Sequence, residues 1–181
     1  GYGGSCFPKD VKELIAVGAR NGIDMKIAKS VEAVNERQKK ALVDMVTTKY
    51  GENLEGKTFA LWGLAFKPQT DDMREAPSLV IVRELIARGA RIRAFDPEAF
   101  GQAKLYFNGL ENSIDYVDDQ YQVLDGADAL LLVTEWKQFR QPDFAKMKSL
   151  LKTSVIFDGR NQYEPQKMKE LGFEYRSIGK T

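Results

Sequence analysis

From residue 58 onward, apolar runs of strand length alternate with helical patterns, and this alternation constrains the fold more than any other feature. The predicted strands are residues 58–66, 91–95, 127–134, 154–157 and 173–177. The predicted helices are residues 77–88, 120–124, 144–151 and 166–171, while residues 105–118 fit neither pattern. Most of the strands are apolar throughout, which is typical of parallel sheets covered by helices on both faces. The sequence therefore predicts an α/β fold.

Only helical signals precede this region. A first helix is predicted from Pro8 to Asn21-Gly22, and a second, long helix over residues 24–49. The long helix carries one narrow apolar stripe that needs a partner, either from the same chain or from a second subunit. The stripe consists of Ile27, Val31, Val34, Ala41, Leu42 and Met45. The predicted organisation is a helical segment, residues 1–51, followed by a Rossmann-like domain, residues 52–181.

The amino-acid composition argues against several classes of function. The net charge is +1, with 27 basic and 26 acidic residues, so no overall field favours nucleic acid or an anionic membrane. The single cysteine and the absence of histidine exclude a disulfide within the chain, a Cys-rich zinc site and a Cys–His pair. We predict no metal site and a cytoplasmic location. No apolar run approaches the ~20 residues that span a bilayer.

The first ten residues, Gly-Tyr-Gly-Gly-Ser-Cys-Phe-Pro-Lys-Asp, combine a glycine loop, a cysteine and a helix start. Gly3 and Gly4 permit a close approach of backbone to a ligand. Cys6 directly precedes the helix, where the helix dipole and Lys9 favour its thiolate, the reactive form. Asp10 lies in the first turn and is suited to orient a thiol or a water. The alternative interpretation is a buried structural cysteine beside a helix cap.

A second polar segment, Phe-Lys-Pro-Gln-Thr-Asp-Asp-Met-Arg-Glu-Ala-Pro, joins the first predicted strand to the next helix. Ligands of open parallel sheets bind outside the carboxyl ends of the strands, so this segment has the expected position. Lys67 and Arg74 provide cations for a diphosphate. Alternatively, the segment is a solvated loop in which Asp71, Asp72 and Glu75 pair with these two cations.

The two segments, in this order and near this spacing, resemble motifs of the UDP-glucose/GDP-mannose dehydrogenase family. A third motif, Phe-Asp-Gly-Arg-Asn ending at Asn161, matches as well, and the resemblance covers essentially the whole chain. It implies a UDP-binding, Rossmann-like domain preceded by a helical dimerisation segment. It also implies that the NAD-binding domain lies outside this chain, because Gly1 begins inside the first motif.

The resemblance assigns roles to single residues. Cys6 matches the nucleophile that attacks a sugar aldehyde, forming a thiohemiacetal and then a thioester, and Asp10 matches an assisting aspartate. Arg74 matches a residue that reaches NAD. The residues that match the substrate-binding positions are Tyr2, Gly3, Phe66, Lys67 and Arg160.

The sheet itself lacks the features of an NAD site. Gly63 alone follows the first predicted strand, so the G-x-G-x-x-G fingerprint is absent. Asp96 follows the second strand, where a Rossmann fold places its ribose-binding acid. Because the glycines are missing, Asp96-Pro97 is better interpreted as a helix cap with proline at the first helical position. We predict a sheet that binds UDP and not NAD.

The implied activity is an NAD-dependent, two-step oxidation of UDP-glucose to UDP-glucuronate by the whole protein, which forms a homodimer through helix 24–49. Asn35 and Gln38 interrupt the stripe of that helix and are suited to set its register. We expect this chain alone to be inactive but to bind UDP. Two alternatives remain, a related dehydrogenase acting on GDP-mannose or a UDP-N-acetylhexosamine, and a non-catalytic UDP-binding and dimerisation module. The wordings Cys-Phe-Pro-Lys-Asp and Trp-Gly-Leu-Ala-Phe-Lys-Pro favour UDP-glucose.

Overall fold

Seven α-helices and six β-strands are formed by residues 1–179, the part of the chain that the computed structural model describes. The helices are α1 (Phe7–Arg20), α2 (Lys26–Gln38), α3 (Ala41–Tyr50), α4 (Pro77–Ala87), α5 (Phe100–Tyr106), α6 (Phe144–Leu150) and α7 (Pro165–Glu170). The strands are β1 (Thr58–Trp62), β2 (Arg91–Phe95), β3 (Ile114–Tyr116), β4 (Ala129–Leu132), β5 (Val155–Asp158) and β6 (Glu174–Ser177). Two 3₁₀ helices cover Gln122–Leu124 and Lys137–Phe139.

All six strands are parallel, in the order β3-β2-β1-β4-β5-β6. The order reverses between β1 and β4, and a ligand crevice forms at such a point outside the carboxyl ends of the strands. The predicted α/β class with a Rossmann-like parallel sheet is confirmed. Strand β3 lies in the stretch that the sequence left unassigned. Strand β1 ends four residues earlier than predicted, because Gly63 takes φ 94° directly after it.

The core lies on both faces of the sheet. Alternate residues of β1 face opposite sides, since side chains alternate along a strand. Phe59 and Leu61 join the apolar cluster formed with α3, α4 and α5. Ala60 and Trp62 join the cluster on the other face, where Trp62 stacks on Phe139 with the ring centroids 4.7 Å apart. The helices therefore cover both faces, as the continuous apolar strands predicted.

The single helix predicted over residues 24–49 is interrupted: α2 ends at Gln38 and α3 begins at Ala41, although Lys39 and Lys40 keep right-handed helical backbone angles. At the break the Lys40 N–H donates to the Arg37 carbonyl, three residues back rather than four. Lys39 is only 3% exposed, and its ammonium donates to Glu36 and to Glu75 of the sheet domain. The interruption and the long-range contact of Lys39 thus fall at the same place in the chain.

The break also divides the apolar stripe. Leu42 of α3 is buried in the core of the sheet domain and Met45 packs against it, so the α3 part of the stripe packs within the chain. Ile27, Val31 and Val34 of α2 remain 84%, 42% and 49% exposed. Only the α2 half therefore leaves apolar surface for a partner. No helix within residues 1–179 has the length and apolar character needed to cross a membrane.

Asp96 is a buried structural carboxylate, 1% exposed. It caps the turn after β2, as predicted, but Pro97 is not the first helical residue, since α5 begins at Phe100. Its two oxygens accept hydrogen bonds from the backbone N–H groups of Leu64, Ala65, Glu98 and Ala99 and from the indole N–H of Trp136. Asp96 thus fixes the loop after β1 on one side and the start of α5 on the other.

Candidate active site

The two polar segments meet in one cavity of about 390 Å³ beyond the carboxyl end of β1. The glycine–cysteine loop forms one wall and the loop between β1 and α4 forms the other. The lining residues are Gly3, Gly4, Ser5, Cys6, Phe7, Phe66, Lys67, Thr70 and Asp72. Of the predicted site residues, the structure therefore brings Gly3, Cys6, Phe66 and Lys67 together.

Glycine is required where these two loops touch. The Gly4 N–H donates to the Arg74 carbonyl at 2.8 Å and joins the loops through their backbones. A Cβ on Gly3 would lie 2.6 Å from the Glu75 carbonyl oxygen. A Cβ on Gly4, whose φ is 90°, would lie 2.8 Å from the Phe66 ring. Larger residues would push the cysteine loop away from its neighbour.

Cys6 occupies the N-cap position of α1 and is exposed. Its Sγ lies 3.6 Å from the Ser5 hydroxyl oxygen. The Cys6 carbonyl accepts the Asp10 N–H at 2.9 Å, which closes the first helical turn. The Asp10 carboxylate pairs with Lys9, is 61% exposed and does not line the cavity. In this structure Asp10 therefore shapes the turn but does not contact the thiol.

Lys67 supplies the cavity with a cation. Its Nζ lies 5.4 Å from the centroid of the Phe66 ring, close enough for a cation–π contact. Within residues 1–179 no carboxylate pairs with Lys67, whereas Arg74 and Arg160 each pair with one. The Phe66 N–H donates to the Asp72 carbonyl at 3.0 Å and closes the loop that presents both residues. Lys67 is thus placed to meet an anionic ligand.

Arg74 lies outside the Cys6 cavity. Its guanidinium donates to both carboxylate oxygens of Asp72, at 3.0 Å and 2.8 Å, and these hydrogen bonds lower the pKa of Asp72. Arg74 lines a larger cleft of about 910 Å³ between α1 and α4. Gly4 and Ser5 line both spaces, so the cysteine loop is their shared wall.

Tyr2 and Arg160 also lie away from the Cys6 cavity. The Tyr2 hydroxyl donates to Glu32 of α2, and burial together with this carboxylate raises the Tyr2 pKa to about 12. The Tyr2 N–H donates to the buried Asn35 side chain at 2.6 Å. The Arg160 guanidinium donates to Glu135 across the carboxyl ends of β4 and β5. Although burial opposes it, this contact lowers the Glu135 pKa.

Sequence reasoning missed the connection that Glu75 makes. The alternative interpretation as a solvated loop paired Glu75 with Lys67 or Arg74, but its two oxygens accept from Lys12 at 2.8 Å and from Lys39 at 2.9 Å. These partners are 63 and 36 residues away in the chain, so no local pattern indicated them. The expected pairing within the loop holds for Asp72 and Arg74.

The crevice of the sheet does not fit NAD in the Rossmann manner. All the hydrogen bonds that Asp96 accepts come from protein donors, and a ribose would have to displace them. A Cβ on Gly63 would lie 2.4 Å from the Thr134 Cβ, so Gly63 serves the close packing of β1 against Thr134. Among residues 1–179 there is also no group of three His, Cys, Asp or Glu residues able to hold a metal ion.

Comparisons with known proteins place both segments in one family. Residues 60–165 match the UDP binding domain of the UDP-glucose/GDP-mannose dehydrogenase family, and residues 1–37 match its central domain. The chain is 50% identical to a UDP-glucose 6-dehydrogenase of Pseudomonas aeruginosa and 43% identical to one of Bacillus subtilis, over 99% of its own length in each case. It spans 40% of the length of each of these relatives.

A solved structure shows the same arrangement. The UDP-glucose dehydrogenase of the archaeon Pyrobaculum islandicum aligns with a TM-score of 0.81 and 35% identity. The alignment covers 97% of this chain and 37% of that protein. The similarity therefore extends over the helical segment and the sheet together.

Proposed function

Since the chain belongs to the UDP-glucose/GDP-mannose dehydrogenase family, we propose that it provides the cysteine nucleophile and the UDP-binding surface of a UDP-glucose 6-dehydrogenase. The activity belongs to a whole enzyme in which an NAD-binding domain accompanies this chain. The observation that supports this function best is the shared cavity of Cys6, Phe66 and Lys67. It sets a thiol beside a cation suited to a sugar diphosphate.

The proposed reaction oxidises the primary alcohol at C6 of glucose to a carboxylate through an aldehyde. Two NAD⁺ molecules, bound in turn by the whole enzyme, would each take one of the two hydrides that this four-electron oxidation releases. The Cys6 thiolate adds to the aldehyde carbon while the aldehyde oxygen takes a proton, which forms a thiohemiacetal. Loss of the second hydride from that carbon, together with the hydroxyl proton, leaves a thioester. Water then breaks the C–S bond, releasing the carboxylate and restoring the thiol.

The proposed substrate contacts are those that the family resemblance assigns. Phe66 and Lys67 bind the UDP-sugar, and the backbone at Tyr2 and Gly3 lies against the sugar. Arg160 binds the UDP portion by exchanging its present carboxylate partner, Glu135, for a phosphate. Asp10 assists Cys6 in the loaded enzyme, which requires that it leave Lys9.

The cofactor is assigned to the rest of the enzyme. The absence of the G-x-G-x-x-G fingerprint after β1 and the structural hydrogen bonds of Asp96 support this assignment. Arg74 reaches NAD from the cleft beside the cysteine loop, where it is 60% exposed. The enzyme forms a homodimer through the exposed apolar face of α2 and acts in the cytoplasm, where Cys6 stays reduced.

A sugar-nucleotide panel tests the function. The whole enzyme is incubated with NAD and, in turn, UDP-glucose, a UDP-N-acetylhexosamine and GDP-mannose, and NADH formation is followed. We expect NADH with UDP-glucose and no turnover in the Cys6→Ser variant. Turnover with GDP-mannose alone would assign a sister dehydrogenase. Wild-type rates in Cys6→Ser would support a non-catalytic binding module instead.

Calorimetry on this chain alone separates the roles of the two nucleotides. We expect heat on titration with UDP, no binding of NAD, and no NADH formation in the presence of UDP-glucose. Strong NAD binding without a response to UDP would contradict the assignment.

A further inference from the structure

Glu75 joins three parts of the molecule that are distant in sequence. It lies in the loop between β1 and α4, and its carboxylate accepts from Lys12 of α1 and from Lys39 at the α2–α3 turn. Lys39 is 3% exposed and also donates to Glu36 at 2.7 Å. Burial alone would lower the pKa of Lys39, but its two carboxylate partners raise it. The helical segment is thus tied to the sheet domain through one carboxylate.

The backbone at Glu75 is fixed as tightly as its side chain. Its φ is 55°, a left-handed conformation that is uncommon outside glycine. The Glu75 carbonyl lies against Gly3, and the preceding carbonyl, that of Arg74, accepts the Gly4 N–H. The same residue therefore touches the loop that carries Cys6 and holds the helix that follows Cys6. Such a strained residue persists where its surroundings over-determine it.

We propose that Glu75 is a positioning residue, which sets the distance between Cys6 and the Phe66–Lys67 loop without touching the substrate. This inference rests on the proposed function. Lys12 lies six residues after Cys6 on the same helix, so the Glu75 carboxylate fixes the placement of α1 and with it the thiol. The Gly3 and Gly4 contacts fix the other end of the same loop.

A purely stabilising role explains the arrangement less well. The pair of Glu75 with Lys12 is open to water, with side chains 39% and 48% exposed, and contributes little to stability, whereas the pair with Lys39, which is 3% exposed, also stabilises the junction. A misplacement of ~1 Å at a reacting group can in addition slow turnover ~100-fold. Stability alone therefore does not account for the contact with Lys12 or for the backbone contacts of Glu75 with the cysteine loop.

The test compares Glu75→Gln with wild type in the whole enzyme. The neutral amide keeps the size of the side chain but loses the charge that holds two ammonium groups. We expect kcat to fall by roughly 10- to 100-fold, with KM for UDP-glucose changed by no more than about twofold. The matched control is Glu174→Gln. Glu174 lies on β6, pairs with Lys49 of α3, and its side chain is about as exposed as that of Glu75. Its kcat should equal that of wild type.

A second pair of variants covers a failure of Glu75→Gln to fold. Lys12→Met removes the ion pair between Lys12 and Glu75 at an exposed position, and Lys12→Arg keeps the positive charge. We expect kcat to fall in Lys12→Met and to recover in Lys12→Arg. A kcat within twofold of the control in Glu75→Gln, or in Lys12→Met if Glu75→Gln does not fold, overturns the positioning role. If the wild-type enzyme turns over none of the sugar nucleotides, the proposed function is contradicted, and this inference with it.

Discussion

At the residue scale, the candidate site depends on small residues as much as on reactive ones. Gly3 and Gly4 allow the cysteine loop to lie directly on Phe66 and Glu75. Without that approach, Cys6 would be an exposed thiol at a helix start, with no ligand surface beside it. The thiol is the reactive group, and the two glycines allow the loop that carries it to line the cavity.

Gly63 carries a similar constraint at the end of β1. Its φ is 94°, and an added Cβ would lie 2.4 Å from the Thr134 Cβ. We expect Gly63→Ala to destabilise the chain by at least ~2 kcal/mol, since it adds both backbone strain and overpacking. Urea unfolding measures the change.

Gly101 provides the control for that substitution. It lies within α5, and a Cβ there would meet no atom within 4 Å. Gly101→Ala should stabilise the chain by ~0.4–1 kcal/mol, because alanine reduces the conformational entropy of the unfolded chain and fits this first-turn position without a clash. Equal effects of the two substitutions would contradict the account of Gly63.

At the element scale, the interruption between α2 and α3 could not be predicted from the apolar pattern. The apolar spacing continues through residues 24–49 on both sides of Asn35 and Gln38, so the sequence predicted one helix. The interruption falls at Lys39, whose partner Glu75 is 36 residues away. The stripe identified an apolar face, but tertiary contacts decided that half of it packs on the sheet.

The junction of helical segment and sheet is sensitive to acid. Hydrogen bonds from Lys12 and Lys39 lower the Glu75 pKa from 4.5 to about 2. Because the folded-state pKa is the lower one, the contribution of Glu75 to stability is complete above pH 4.5 and is lost as the pH falls toward 2. Glu32 and Glu36 face the same two lysines.

We therefore expect the difference in unfolding free energy between wild type and Glu75→Gln to shrink as the pH falls from 4.5 toward 2. Urea unfolding of both proteins at a series of pH values measures it. A difference that stays constant over this range would show that the carboxylate is not stabilised by its two lysines.

Helix α2 carries the proposed dimer contact. Ile27, Val31 and Val34 line a groove of about 590 Å³ together with Tyr2. Val31→Glu places a charge in this apolar face, and we expect it to convert the dimer to monomer in sedimentation experiments. Leu105→Glu on α5, where Leu105 is 73% exposed, is the control and should leave the dimer intact. A monomeric wild type, or an unaffected Val31→Glu dimer, would place the interface elsewhere.

At the scale of the whole molecule, the sheet could be predicted almost completely. Long apolar runs such as that of β4 predict buried parallel strands, and their alternation with helices predicts the layers. Strand β3 was missed because only three of its residues pair with β2, too few to form a pattern. The loop after β1 was predictable as a ligand site because parallel topology fixes where such loops lie.

The candidate site was less predictable than the fold. Cys6 and Lys67 share a cavity, as their motifs suggested, but Tyr2 and Arg160 point to other partners. The sequence did not indicate the contacts of Glu75, because Lys12 and Lys39 are brought to it only by the fold. Motifs locate the reactive loops, whereas the contacts between loops depend on chain segments that the motifs do not include.

The central claim is that Cys6 and the Phe66–Lys67 loop form one ligand site. Cys6 is the only cysteine, so the rate of iodoacetamide alkylation of this chain reports on that thiol alone. We predict that saturating UDP-glucose slows the alkylation of Cys6 and that Lys67→Met reduces this protection. If calorimetry shows UDP-glucose bound while Cys6 is alkylated at the rate of the free chain, the sugar does not lie beside the thiol, and the account is contradicted.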